Sequence, residues 1–196
     1  MDKHIDNRYL TLDEMKDNAP YIIGEMKEYG WTDEAIAGIL GNMQTESTLN
    51  PGLYEGAEKV PPDTPGHGYG LVQWTPPSNY IFWAQANGFP NESEWENFHP
   101  QVKWIAEETD KGQWLQEKDG IPYAYNVEWE EFISSHADPA YLADVFLKNF
   151  ERPADHNQPI RGEQALMWYE FIQDGDLPDP DPDPDPDPDP EKHPIT

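Results

Sequence analysis

Apolar residues in this chain recur mainly at helical spacing. Ile36, Ile39, Leu40 and Met43 stand at i, i+3, i+4 and i+7, the stripe of one buried helix face. Thr32 can cap that helix, and Asp33 and Glu34 suit its positive end. The pattern predicts a helix over about 32–48, stopped by Asn50-Pro51-Gly52. Upstream, Thr11 with Glu14 forms a capping box that opens an earlier helix. Tyr21, Ile22 and Met26 carry its apolar face, Pro20 predicts a kink or restart, and Gly30 ends it. Residues 1–10 read as a loosely ordered lead.

Downstream, Tyr80, Ile81, Trp83 and Ala84 predict a helix around 79–87 that Gly88 stops. Pro100 suits a first helical position, with Val102, Ile105 and Ala106 inward and Gly112 as breaker. Glu128 to Ser135 reads as helix after an irregular stretch from Pro122 to Asn126. Asp138-Pro139 caps and opens another, with Tyr141, Leu142, Val145, Phe146 and Phe150 on its face. A last helix runs from Arg161 to Ile172. Glu151 and Arg152, between these two, read as a structural ion pair or cap and not as catalysts.

Residues 51–67 break the pattern. Pro51, Pro61, Pro62 and Pro65 with Gly52, Gly56 and Gly66 make a long loop, and a loop of this length in a compact domain is usually functional. Gly68 and Gly70 bracket Tyr69 and let the backbone turn tightly. Leu71-Val72-Gln73-Trp74 reads as one strand of a small hairpin.

One residue on the second helix is out of place. Glu46 lies seven residues after Ile39 and three after Met43, so at ~100° per residue it points along the apolar stripe. A carboxyl half-buried on such a face, with no cation nearby, keeps its proton to higher pH, which suits a general acid for glycosidic cleavage. The plainer reading is a solvated charge at a helix end.

Composition narrows the function. The formal charge is −27, and the chain from Asp174 onward alone holds eight Asp and one Glu against one Lys. This opposes nucleic-acid binding, which needs a positive footprint. Cysteine is absent, so disulfides, thiol catalysis and cysteine metal sites are excluded. The six histidines show no ligand spacing, so neither a metal nor another cofactor is expected. No stretch approaches a membrane span, and the first eight residues lack the apolar core of a signal peptide. Eight Trp, ten Tyr and seven Phe permit a carbohydrate site without requiring one. From residue 178 Pro and Asp alternate, predicting an extended, solvated spacer. We therefore divide the chain into a domain over 1–175 and an acidic linker over 176–196.

Glu46-Ser47, Asn50-Pro51 and Gly68-Tyr69-Gly70-Leu71-Val72-Gln73-Trp74 together resemble the signature of goose-type lysozymes and lytic transglycosylases. More narrowly, Gly38 to Ser47 resembles the phage tail lysozyme family, with the likeness running from about Tyr9 to Phe171 and including Phe150-Glu151-Arg152-Pro153. The resemblance implies a lysozyme-like, mostly α fold with a small loop or β subdomain beside a substrate cleft. It implies cleavage of the β-1,4 bond between N-acetylmuramic acid and N-acetylglucosamine in peptidoglycan, with Glu46 as general acid. Candidates for substrate contact are Ser47, Tyr54, Tyr69 and Gln73; by resemblance Gln73 faces the cleft, while its bland alternative is an amide that braces the loop. Glu55, Glu58 and Asp63 are the candidates for a second carboxylate, or else solvated loop charges. If one of them activates water the enzyme is a muramidase; if none does, a lytic transglycosylase giving anhydro products is implied. A wall-binding tail module without activity is the alternative outside enzymes. The place implied is the virion, at the phage tail tip beside other tail proteins, where the protein would open the wall for genome entry.

Overall fold

A computed structural model describes residues 2–116 and 125–175. The irregular stretch expected from Pro122 lies mostly outside these residues, and the Asp-Pro linker wholly so. Eight α-helices are present among them: α1 (Leu12–Glu28), α2 (Asp33–Ser47), α3 (Ser78–Ala86), α4 (Glu92–Trp95), α5 (Phe98–Glu108), α6 (Trp129–Ile133), α7 (Pro139–Phe146) and α8 (Pro159–Gln173). None of the helices among the described residues is long and apolar enough to cross a membrane.

The expected caps form. Thr11 and Glu14 make the capping box of α1, Thr32 accepts from the Ala35 N–H, and Asp138 accepts from Ala140 and Tyr141 ahead of Pro139. α1 runs unbroken through Pro20, against the expected restart. Proline removes one helix hydrogen bond, but Met15, Ala19, Ile22, Ile23 and Met26 around it are all buried, and that packing outweighs the loss.

The lead segment is not loose. The buried Asn18 accepts from the His4 N–H and donates to the carbonyls of His4 and Leu49. Asn50 donates to the carbonyls of Asp6 and Arg8, and the Leu10 N–H donates to Thr48 Oγ1. Side-chain amides thus replace the sheet partner that an extended lead would otherwise need.

The core of the molecule is α2. Its residues from Ala35 to Met43 are all buried, and it packs chiefly on α8 and then on α7. Two glycines allow this. A Cβ on Gly38 would stand 3.0 Å from the Ala143 backbone nitrogen in α7, and one on Gly41 would stand 2.4 Å from the Arg161 carbonyl oxygen in α8. Backbones therefore meet where side chains would otherwise keep helices 8–10 Å apart.

The small β subdomain is not seen among the described residues. Tyr54 and Tyr69 form one isolated antiparallel bridge. The expected strand Leu71–Trp74 is instead a closed turn. Tyr69 and Trp74 exchange N–H···O bonds of 3.2 and 2.9 Å across it, with positive φ at Gly70 (79°) and Gln73 (51°). Such a conformation at both ends closes the loop at one pair and leaves no ladder to extend.

Gly41→Ala drives a methyl into the α8 backbone, which cannot rotate away. We expect a loss of about 2 kcal/mol or more in chemical unfolding, with the melting temperature lower by several degrees. Unchanged stability would show that α2 and α8 do not meet as described.

Candidate active site

Glu46 sits in the last turn of α2, before Thr48 and Leu49 leave the helix with φ of 53° and 56°. Its side chain is 21% exposed. The expectation of no nearby cation is overturned. Arg161 Nη2, in the first turn of α8, donates to Glu46 Oε1 at 2.5 Å. The arginine side chain is 4% exposed and each of its three nitrogens donates: besides Nη2, Nε donates to Gln158 Oε1 at 2.7 Å, and Nη1 to Asn42 Oδ1 at 3.0 Å. Asn42 in turn donates to the carbonyls of Gly38 and Ala143. One buried chain of polar contacts thus ties α7, α2 and α8 together and ends on the Glu46 carboxylate. Thr45 donating to Gln164, and Trp168 donating to Gln44, flank it along the same seam.

A second carboxyl, Glu151, lies on the turn after α7. α7 runs into a wider π-turn over Leu147–Glu151, and Arg152 then takes a left-handed conformation. The turn is clamped by the segment after α5: Leu115 N–H donates to the Asn149 carbonyl, Asn149 donates to the Leu115 carbonyl, and Gln113 donates to the Phe150 carbonyl. Arg152 donates to the carbonyls of Gln113 and Asn149. Of the two readings of Glu151 and Arg152, an ion pair or a cap, Arg152 takes the cap: its guanidinium is held by backbone carbonyls and makes no hydrogen bond to Glu151. Glu151 Oε1 is buried without a hydrogen-bond partner. Its proton is held well above the usual carboxylate range, first by burial and then by the negative charge of Glu46; Arg161 and Arg152 oppose the shift and do not cancel it.

The other candidates fall elsewhere. Ser47 is buried and donates to the carbonyls of Met43 and Leu71, fastening the turn to α2. Tyr54 and Tyr69 are 4% and 1% exposed, and their rings pack at 4.6 Å. These three brace the loop. Gln73 is half-buried and donates to the Leu53 and Gly70 carbonyls, which is the bracing role. Glu55 accepts from the Gly68 N–H, while Glu58 and Asp63 are exposed. Among the described residues the Glu46 side chain bonds Arg161, and none of the three is hydrogen-bonded to it. Trp74 is core, stacked on Tyr80 at 4.4 Å.

With this geometry in view, the relatives are informative. The model of the phage tail lysozyme family matches residues 17–172. The chain belongs to the phage tail lysozyme family. A Bacillus phage B103 protein named morphogenesis protein 1 is 41% identical over 167 residues, 85% of this chain and 42% of that protein. The chain thus spans less than half the length of that relative.

Sequence reasoning missed Arg161, Asn42, Glu151 and Gln101. The signal for Arg161 was present: it stands at i, with buried Ala165, Trp168 and Ile172 at i+4, i+7 and i+11, an ionisable group on an apolar stripe just as Glu46 is. Gln101 is a buried amide in α5 that accepts from the Leu71 N–H and donates to the Pro51 carbonyl, strapping both ends of the glycine-rich loop. It carried no pattern beyond a polar residue among apolar ones.

Two outcomes test the site as built. Arg161→Met leaves Glu46 and Asn42 without their donor in a mostly buried place, and should cost about 3 kcal/mol in unfolding free energy. Glu151 gives a pH signature. A carboxyl whose folded pKa is raised contributes its full stabilisation below the ordinary value of 4.5 and loses it as pH rises through the raised value. Glu151→Gln lacks that loss, so its melting temperature should climb relative to the parent as pH is raised from acid to neutral. A constant difference across that range would contradict the placement of Glu151.

Proposed function

We propose that this chain is the peptidoglycan-cleaving domain of a phage tail, a glycosidase that breaks the β-1,4 bond between N-acetylmuramic acid and N-acetylglucosamine. Glu46 is the general acid. The observation that carries the reading is a partly exposed carboxyl at the end of a buried helix, fixed by a buried arginine, in a chain of the phage tail lysozyme family. Protonating the glycosidic oxygen lets it leave as a hydroxyl while positive charge builds on the sugar carbon. Arg161 fixes the carboxylate oxygen and stabilises the negative charge left when the proton has gone. The asparagine behind Arg161 keeps the guanidinium from turning away.

A lytic transglycosylase is the second reading. It applies if no loop carboxylate activates water: Glu55 is tied to the Gly68 N–H, and Glu58 and Asp63 are exposed. Without a partner to activate water, a hydroxyl of the sugar itself completes the reaction. Peptidoglycan is the partner proposed, together with neighbouring tail proteins of the virion, and the role proposed is opening the wall for genome entry. The acidic surface gives no attraction to anionic walls, so affinity has to come from shape or from those neighbours.

Glu46→Gln should fold as the parent does and lose about 10²–10⁴-fold in release of muropeptides from purified walls. Mass spectrometry of the products separates the two chemistries, since anhydro ends are one water lighter than reducing ends. Parent-like digestion by Glu46→Gln would refute Glu46 as the acid and leave a wall-binding module.

A further inference from the structure

α2 and α8 run antiparallel, and their side-chain contacts step in order toward one end. Trp168 donates to Gln44 at 2.9 Å, Thr45 donates to Gln164 at 2.8 Å, and Arg161 donates to Glu46 at 2.5 Å. As the position in α2 rises, the position in α8 falls. The segment that precedes α8, residues 153–158, is therefore delivered to the end of α2 where the Glu46 carboxyl stands.

This segment has neither helix nor strand, yet polar contacts pin it throughout. Just before it, Arg152 donates to the carbonyls of Gln113 and Asn149. Within it, the Asn157 N–H donates to Asp155 Oδ1 at 2.9 Å. At its far end Gln158 uses both halves of its amide. Nε2 donates to the Asp155 carbonyl at 2.9 Å, and Oε1 accepts from Arg161 Nε at 2.7 Å. One planar guanidinium then separates the Gln158 amide from the Glu46 carboxylate. Joining two helices needs no such ties, because extra freedom in a surface connection costs little. The ties fix a shape, and a loop held by a rigid scaffold beside a reactive group is where binding residues concentrate.

Two side chains on the loop are unspent. His156 and Asn157 are exposed, and neither side chain makes a hydrogen bond among the described residues. An amide offers donors and an acceptor, and a neutral imidazole offers one of each. That set suits the hydroxyl and acetamido groups of an uncharged sugar. On the other flank the polar groups are already used. Ser47, next to Glu46, is buried and bonded to the Leu71 carbonyl, and Gln73 donates to the Leu53 and Gly70 carbonyls.

We propose that residues 153–158 form a substrate-contacting strip beside Glu46, in which His156 and Asn157 hydrogen-bond the hydroxyl and acetamido groups of an N-acetylated sugar and Gln158 keeps the strip in register with the acid. This rests on the glycosidase reading above. Gln158 touches Arg161 and Asp155 and acts through them, so it is a positioning residue. One half of its amide holds the arginine that fixes Glu46. The other half holds the backbone that carries the sugar contacts. The bound sugar and the carboxyl are thereby kept at one spacing, which is what a positioned reaction requires.

The test uses the full chain, with purified peptidoglycan for kinetics and soluble, peptide-free glycan strands for binding. Changing His156→Ala and Asn157→Ala together alters exposed side chains only, so the melting temperature should match the parent. KM should rise about fivefold or more, while kcat changes by about twofold at most. In the Glu46→Gln protein the same two changes should weaken strand binding by a similar factor, and the backbone NMR signals of 153–158 should shift as strands are added. An unmoved KM, or strands that bind without shifting those signals, would overturn the proposal. Gln158→Ala should raise KM and also lower kcat, because the strip loses its tether and Arg161 loses an acceptor. Adding it to the His156 and Asn157 changes should raise KM little further, since the tether then has no sugar contact left to hold. KM effects that simply multiply would overturn the role given to Gln158, and if Gln158→Ala fails to fold, the other two substitutions still decide the strip. An inactive Glu46→Gln beside an unmoved KM in the His156 and Asn157 variant would sink the strip alone. Full wall digestion by Glu46→Gln would sink the glycosidase reading and the strip with it.

Discussion

The buried guanidinium of Arg161 is the contact on which the arrangement depends. It reaches Gln158, Asn42 and Glu46 from the start of α8, and Asn42 carries the connection on to α7. A charge 4% exposed is tolerable only if each of its donors finds an acceptor. That requirement fixes the rotation of α8 about its axis and its register along α2. A lysine could not do the same, because it lacks the planar fork that engages three acceptors in fixed directions.

Close helix contact makes the fork reachable. Gly41 lets the α8 backbone approach at the level of Arg161, one turn before Glu46, and Gly38 does the same for α7. The small residues on α2 and the polar chain between the helices are therefore two sides of one constraint. Apolar burial along α2 supplies the cohesion, whereas the Asn42–Arg161–Glu46 contacts select one arrangement among the many that apolar packing would accept.

The glycine-rich loop is held by a separate set of polar struts. Ser47 ties its turn to the end of α2, Gln101 ties it to α5, and Gln73 closes it on itself. Glycine is required at position 70, where φ is 79° and a Cβ would stand 2.6 Å from Gln101 Oε1. Several residues that the family resemblance suggested for sugar contact thus support the backbone around the site. Motif residues of this kind can persist because the loop's shape needs them, whatever touches the substrate.

The chain's own pattern determined the helices, because burial of one face imposes a period that survives in sequence. Thr11 with Glu14, Thr32, and Asp138 with Pro139 could be read as caps for the same reason: each acts on N–H groups two or three residues away. Glu46 stood out by the same rule, as a charge on an apolar stripe. What lay beyond reading was decided between segments far apart in the chain. The Arg161 partner of Glu46 comes from 115 residues later, Asn18 and Asn50 order a lead segment that has no local reason to be ordered, and the π-turn buries Glu151 because Gln113 and Leu115 clamp it. The expected strand became a turn because the conformations at Gly70 and Gln73 depend on Gln101 and Leu53. Local spacing records which side of an element is dry. Which charge meets which depends on how the elements pack, and only the folded chain settles that.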